Sequence, residues 1–464
     1  MRSARIDSLR SFAAPLLLAG VTMLAIGGCA TTTRTGPVIE EAPRNERNPV
    51  IAQALELARA GRALTGDARR ANDAQVNRLL SQLDNATLVA EAAALPEGEP
   101  LYDYAGRALL QRGLPLPRPF ARGADWRFDA GDRPAAERDG YRPPQRVAVL
   151  LPLSGSMAAT AASVRDGFLA GYHNESRRRP DVQFYDTAGG AGAAYDRAVA
   201  DGRDFVVGPL GRDEVGALFN KGTLPVAVLA LNRAASNPPS GTASFSLSPE
   251  DEGTAAAEAL LARNARRVLV VGGGDDTQRR AIAALREALA NRGGAVTDSV
   301  SEATADFAPM ASKDGGVDAV YLAMKGSSAR AVMPKLALAG LAGKPVYASS
   351  QLLSGTGKAE QDRALDGVAF PSETWTTRGL PGLPSDNATA ALLPTARGPA
   401  ARLFAFGHDA WLITAYLEKL ATSSDSIAGA TGVLRLDGFG NVQRTPAWSV
   451  FRDGVAVPLA DARN

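Results

Sequence analysis

The sequence predicts an α/β protein: two lobes of parallel sheet flanked by helices, preceded by a small all-helical domain. Three observations predict it. From Arg146 onward, short apolar runs rich in branched residues alternate with helical spacings, as parallel strands joined by crossover helices require. Residues 48–113 instead repeat apolar residues at three- and four-residue intervals, the period of an amphipathic helix. The 464 residues, 45% of them hydrophobic, allow about three units at ~150 residues each and exclude global disorder.

Residues 1–28 read as an export signal. Arg2, Arg5 and Arg10 precede an apolar stretch from Phe12 to Ala25, which Pro15 and Gly20 interrupt. That stretch is short for a bilayer span. Ile26-Gly27-Gly28-Cys29 then looks like a bacterial lipobox, with Cys29, the only cysteine, as the lipidation site. Several acyl chains on one residue give stable anchoring where a single chain does not. Ala30 follows the cysteine, whereas an Asp there resembles an inner-membrane retention signal. The expected location is the outer membrane, lipid-anchored on the periplasmic side. Removing residues 1–28 takes away three Arg and one Asp, leaving a formally neutral chain without a strong steering field. Residues 29–47, rich in Thr, Pro and charge, read as a tether.

In the helical domain, Ile51, Leu55 and Ala58 share one face; Val76, Leu79, Leu80 and Leu83 share another; Leu101, Tyr104, Ala105 and Leu109 repeat the pattern. Gly61, Gly66, Pro96 and Gly113 punctuate these runs, so three or four helices are expected. Residues 114–145, with many Pro, Gly and Arg around Trp126 and Phe128, read as a locally packed linker.

The two-lobed domain spans 146–457. Its first lobe takes strands at Val147–Leu151, Val182–Tyr185, Phe205–Val207 and Val226–Leu231. Helices lie between them, one marked by Val164, Phe168 and Tyr172. A second series opens at Ser248-Pro249-Glu250-Asp251: a hydroxyl N-cap, Pro at the first helical position and acids at the positive helix end. Strands follow at Val268–Val271, Val317–Met324, Val346–Ala348 and Val368–Phe370, with helices at Ile282–Leu289, Ala329–Ala339 and Ala410–Leu420. Leu434–Val457, with turns at Asp437-Gly438, Gly440-Asn441 and Asp453-Gly454, reads as terminal hairpins.

Composition excludes several chemistries. One cysteine and two histidines, His173 and His408, rule out Cys/His zinc sites and disulfide frameworks; no metal and no cofactor is expected. The 51 basic residues are interleaved with 49 acidic ones, without the basic stripe that nucleic acid needs. Gly272-Gly273-Gly274 follows a strand, but Thr277 stands where a dinucleotide fingerprint has its third glycine. Ser354-Gly355-Thr356-Gly357-Lys358 resembles the end of a P-loop, but Ala359 replaces the metal-binding hydroxyl. His173 reads as a surface residue of a helix. His408-Asp409 reads as a helix start, where Asp409 suits the helix dipole. No catalytic residue is assigned.

Ligands bind open α/β sheets at the carboxyl ends of the strands. There the chain places Ser154, Gly155 and Ser156, then Gly208, Pro209 and Leu210, then Asn232, and finally Ser349, Ser350 and Gln351. Small hydroxyls and backbone amides at helix starts can hold a carboxylate or sugar hydroxyls. These ten residues are the candidate ligand site, and tight turns are the alternative reading.

Val149–Gly155 with Arg165-Asp166-Gly167-Phe168 resembles the opening of type I periplasmic binding proteins and, more closely, the LppC lipoprotein family. Val207–Leu210, Leu229–Asn232, Leu247–Glu252, Tyr347–Gln351, Leu365–Val368, Arg402–Gly407 and Gly432–Asp437 continue the match in order. The resemblance implies an outer-membrane lipoprotein that docks on a class A penicillin-binding protein and stimulates its peptidoglycan polymerisation and cross-linking. It also implies tetratricopeptide-like helices at the N-terminus, in a region that is short here. Relatives that bind amino acids carry Ser or Thr soon after the Gly-Pro turn, where this chain has Leu210-Gly211-Arg212. The alternative function is a periplasmic solute receptor for an amino acid, peptide or muropeptide.

Overall fold

The computed structural model describes residues 47–121, 133–222 and 224–459. The signal segment, Cys29, nearly all of the tether, Trp126 and Phe128 lie outside the described residues.

Four helices open the described chain: α1 (Pro49–Gly61), α2 (Gly66–Ser81), α3 (Asn85–Ala94) and α4 (Leu101–Gln111). The apolar faces read from the sequence meet in one core of Ile51, Val76, Leu80, Leu101, Tyr104 and Leu109. Phe120, from the segment after α4, joins this core. Arg142 instead binds Glu418 at 2.8 and 2.9 Å, so residues 133–145 pack on the first lobe.

That lobe runs β1 (Arg146–Leu151), α5 (Ala158–Asn174), β2 (Asp181–Asp186), α6 (Ala191–Ala200), β3 (Phe205–Val207), α7 (Arg212–Phe219), β4 (Ala227–Ala230), β5 (Ala243–Ser244) and α8 (Pro249–Leu261). Next come β6 (Arg267–Gly272), α9 (Asp276–Asn291), β7 (Ala295–Val300), α10 (Ala308–Ala311), β8 (Ala319–Ala323), α11 (Gly326–Leu336) and β9 (Val346–Ala348). The series continues with α12 (Ala359–Asp362), β10 (Val368–Ser372), α13 (Thr374–Arg378), α14 (Asp386–Leu392) and α15 (Ala400–Thr422). Five short strands end it: β11 (Ile427–Ala428), β12 (Val433–Leu436), β13 (Val442–Thr445), β14 (Ala447–Arg452) and β15 (Val455–Pro458).

The first sheet is parallel, in the order β2-β1-β3-β4-β5. The second repeats that topology as β7-β6-β8-β9-β10 and adds β14 and β15 antiparallel at the β10 edge. The α/β, two-lobed fold read from the sequence is therefore present. Inner strands β1 and β8 are buried on both faces, whereas edge strands β2 and β7 are half-exposed, as a doubly covered parallel sheet dictates. The polar composition of β7 (Ala-Val-Thr-Asp-Ser-Val) hid it from a pattern search for apolar runs.

Two helices change lobes. After the first crossing, α8 packs on α9; after the return, α15 packs on α5. At the α5–α15 crossing a Cβ on Gly167 would lie 1.9 Å from the Phe404 carbonyl oxygen, and one on Gly407 1.9 Å from that of Val164. Only glycine permits this backbone approach. The helix expected around Ala410–Leu420 consequently starts ten residues earlier, because Gly407 is a packing residue and not a breaker. That corrects the reading of His408-Asp409 as a helix start. Both lie well inside α15 and are buried.

Candidate functional site

Both lobes direct the carboxyl ends of their strands toward loops rich in polar residues. Ser154, Gly155 and Ser156 follow β1 and are exposed. Ser154 Oγ donates to Asp186 Oδ2 at 2.6 Å, and the Leu153 amide donates to Oδ1 at 2.9 Å. The Ser154 hydroxyl first, then the Ala188 amide, holds Asp186 below the usual carboxylate range. Gly208, Pro209, Leu210 and Asn232 come together at the ends of β3 and β4. The Gly208-Pro209 peptide is cis, and the Leu231 amide donates to the Pro209 carbonyl at 3.0 Å. Asn232 Nδ2 donates to the Leu210 carbonyl at 3.0 Å, and Asn232 Oδ1 accepts from the Arg233 amide at 2.9 Å. The Asn232 side chain thus braces two turns of its own lobe.

The other three candidates lie in the second lobe, after β9. Ser350 is buried; its amide and hydroxyl donate to Glu252 at 3.0 and 2.8 Å. Gln351 donates to Asp275 Oδ2 at 3.2 Å and accepts from Gln278 Nε2 at 2.9 Å. Gln278 Oε1 in turn accepts the Gly273 and Gly274 amides at 3.0 and 2.7 Å. Those are the amides a pyrophosphate would need, so the glycine turn after β6 is closed by its own helix. The P-loop-like turn is closed the same way, because Asp362 Oδ2 accepts the Gly357 and Lys358 amides at 2.7 and 2.9 Å. Ser349 is buried, and its hydroxyl has no hydrogen-bond partner among the described residues.

Between the lobes lies a charged cluster that sequence reasoning missed. Glu252, in the first turns of α8, pairs with Arg402, in the first turn of α15, and lies 3.8 Å from Arg444. Arg402 Nε is also 3.3 Å from Glu373, at the end of β10. Glu252, Glu373 and Arg444 are buried, and the Arg402 side chain is 23% exposed. Burial pushes the Glu252 carboxyl up, but Arg402 and Arg444 outweigh it and hold it below its ordinary value. Burial likewise lowers Arg402, which its two acids more than restore; Arg444 stays depressed by burial and by the charge of Arg402. Glu252 is therefore ionised at neutral pH. Its chemistry is that of a tie between two crossover helices, not of a proton donor. The capping run Ser248–Glu252 marked this helix start, but nothing local links position 252 to position 402.

Asp409, deep in α15, accepts the Ala430 and Thr431 amides at 2.6 and 2.8 Å and the Thr431 hydroxyl at 2.6 Å. It fixes the loop before β12 and is not a helix-end charge. The β12–β13 turn meets the N-terminal helices: Arg107 lies 3.9 Å over the Phe439 ring, and Tyr104 packs edge-on against the same ring.

Comparison with known proteins agrees with this architecture. A family model described as "LppC putative lipoprotein" matches residues 141–299 and 300–454. The penicillin-binding protein activator LpoA of Photobacterium profundum is 29% identical over 354 residues, covering 68% of this chain and 57% of the relative. The chain spans about half the length of the curated relatives it matches. Among solved structures, the LpoA (YraM) C-domain from Haemophilus influenzae, a regulator of PBP1A, superposes with a TM-score of 0.59 at 23% identity. It covers 68% of this chain and 100% of that domain. A "putative branched-chain amino acid ABC transporter" from Chromobacterium violaceum superposes with a TM-score of 0.53 at 28% identity, covering 66% and 100%. With both lobes matched by the family model from end to end, the chain belongs to the LppC family of lipoproteins.

Proposed function

We propose that the chain is a non-catalytic activator of a class A penicillin-binding protein, anchored through Cys29 in the outer membrane and facing the periplasm. The observation that carries this reading is the Glu252–Arg402–Glu373–Arg444 cluster. Polar groups at the strand ends, where a receptor would hold its solute, here bind one another and tie the lobes together. A body of that kind is suited to docking. The name of the curated relatives, penicillin-binding protein activator, supports the same partner. An activator needs only to bind the synthase's active conformation better than its resting one; a ~10-fold shift takes about 1.4 kcal/mol of differential affinity. Glycan polymerisation and peptide cross-linking by the cognate synthase, measured with and without the acylated protein, test the proposal. Stimulation is expected; the absence of both stimulation and co-purification would defeat the proposal.

One observation favours a solute receptor as the second reading. The Ser349 hydroxyl, beside the cluster, is buried without a hydrogen bond among the described residues. A ligand present at 100 times its Kd would add about 2.7 kcal/mol of stability. A thermal-shift screen of amino acids, peptides and muropeptides that moves nothing removes this reading.

A further inference from the structure

We propose that the trench between α2 and the two lobes is a binding site for a cell-wall glycan, an N-acetylated sugar polymer bearing carboxylates. This deepens the activator reading and rests on it for the choice of polymer. A cavity of about 750 Å³ lies between α2 and the first-lobe segments 235–242 and 438–440. A smaller one, about 70 Å³, continues along α2 against α8 and α9. Asn77 lines both. Gly66, Arg70, Ala74, Asn77 and Ser81 line this trench, and at spacings of three and four they form one helix face. The site is therefore elongated, about 22 Å from Gly66 to Ser81 at 1.5 Å per residue.

Its walls carry free polar groups on both sides. The side-chain amides of Asn77 and Asn220 and the hydroxyl of Ser236 have no hydrogen-bond partner among the described residues. Arg70 is half-exposed and, among the described residues, held by Asp67 alone, which leaves N–H groups for a carboxylate. Amides and hydroxyls suit sugar hydroxyls and acetamido groups; the guanidinium suits an acid. A protein partner would instead want large apolar anchors. Those exposed among the described residues, Met157, Leu338, Leu392, Val433 and Val455, lie outside the trench.

The test is co-sedimentation of the full chain, in detergent, with purified peptidoglycan sacculi, with an N-acetylglucosamine hexamer or polyglutamate as soluble competitor. Ala74→Trp fills the trench from an exposed helix position, and Ala68→Trp is the control: it is exposed, lines neither cavity, and two residues from Gly66 and Arg70 it lies on the far side of α2. Wild type and A68W are expected to pellet, with A74W weaker by at least about tenfold at an unchanged melting temperature. The hexamer is expected to compete and polyglutamate not. Should A74W misfold, Ser236→Trp on the opposite wall replaces it. No pelleting, equal pelleting by the blocked variant, or competition by polyglutamate alone would overturn the proposal. No synthase takes part, so the two readings fail separately: binding without stimulation sinks the activator, and stimulation without binding sinks the trench.

Discussion

Arg107 of α4 donates from Nε to Asp437 Oδ2 at 2.7 Å, joining residues 330 positions apart. Asp437 is fully buried and also accepts the Phe439 and Asn441 amides at 2.9 Å and the Gln443 side chain at 2.9 Å. Arg107 Nη2 donates on to Asn237 Oδ1 at 3.0 Å. The N-terminal helices are therefore fastened to the terminal hairpin by a charge that water barely reaches.

Removing Arg107 takes a charged partner from the buried Asp437 carboxylate, which keeps its amide and Gln443 donors, so the cost lies toward the low end of the roughly 3–5 kcal/mol of a broken buried ion pair. Arg107→Ala is expected to lower stability by that order in urea titration. It should also speed proteolysis between residues 112 and 145. Unchanged cleavage there would mean the helices are held mainly by apolar packing.

The glycine pair at the α5–α15 crossing makes a second prediction. A methyl group at 167 or 407 meets a carbonyl at 1.9 Å, and the helices must separate. Gly407→Ala is expected to cost roughly 1–3 kcal/mol by overpacking, measured as a shift in chemical-denaturation midpoint. The opposite sign, from reduced entropy of the unfolded chain, would show that the crossing yields easily.

The interlobe cluster predicts a pH dependence. Glu252 has a folded pKa below its unfolded value of about 4.3. Its contribution is therefore complete above that value and disappears as the pH falls through the folded pKa. Melting temperature should drop below about pH 4, and Glu252→Gln should flatten that acid limb while lowering stability at pH 7. Glu252→Gln with Arg402→Met should cost less than the two single changes summed; additivity would show that the pair is not coupled.

Asp139 supplies a smaller acid term. Burial raises its pKa, but the Tyr416 hydroxyl, the Tyr141 amide and Arg177 hold it down at about 2. The carboxylate is half-exposed, so solvent screening leaves on the order of 1 kcal/mol. Asp139→Asn should remove that amount above about pH 4 and only a small part of it at pH 2, where the carboxylate is half protonated. An equal loss at both pH values would assign the effect to packing.

The cap at Ser248 is a local feature and a local test. Its hydroxyl accepts the Asp251 amide at 3.3 Å, and Ser248→Ala is expected to cost about 1 kcal/mol.

Sequence alone determined what depends on neighbours along the chain. Apolar runs set the inner strands, because a parallel strand covered on both faces admits little else. Helical spacing set α1, α2, α4 and α9, and Ser248-Pro249 set the start of α8. Tertiary structure decided what depends on distant partners: that Gly407 packs instead of breaking a helix, that Asp409 holds a loop, that Ser350 serves Glu252, and that Glu252 finds Arg402. Charge pairing between residues 150 positions apart leaves no trace in local periodicity, because only the crossing of two chain segments between lobes brings those residues within reach.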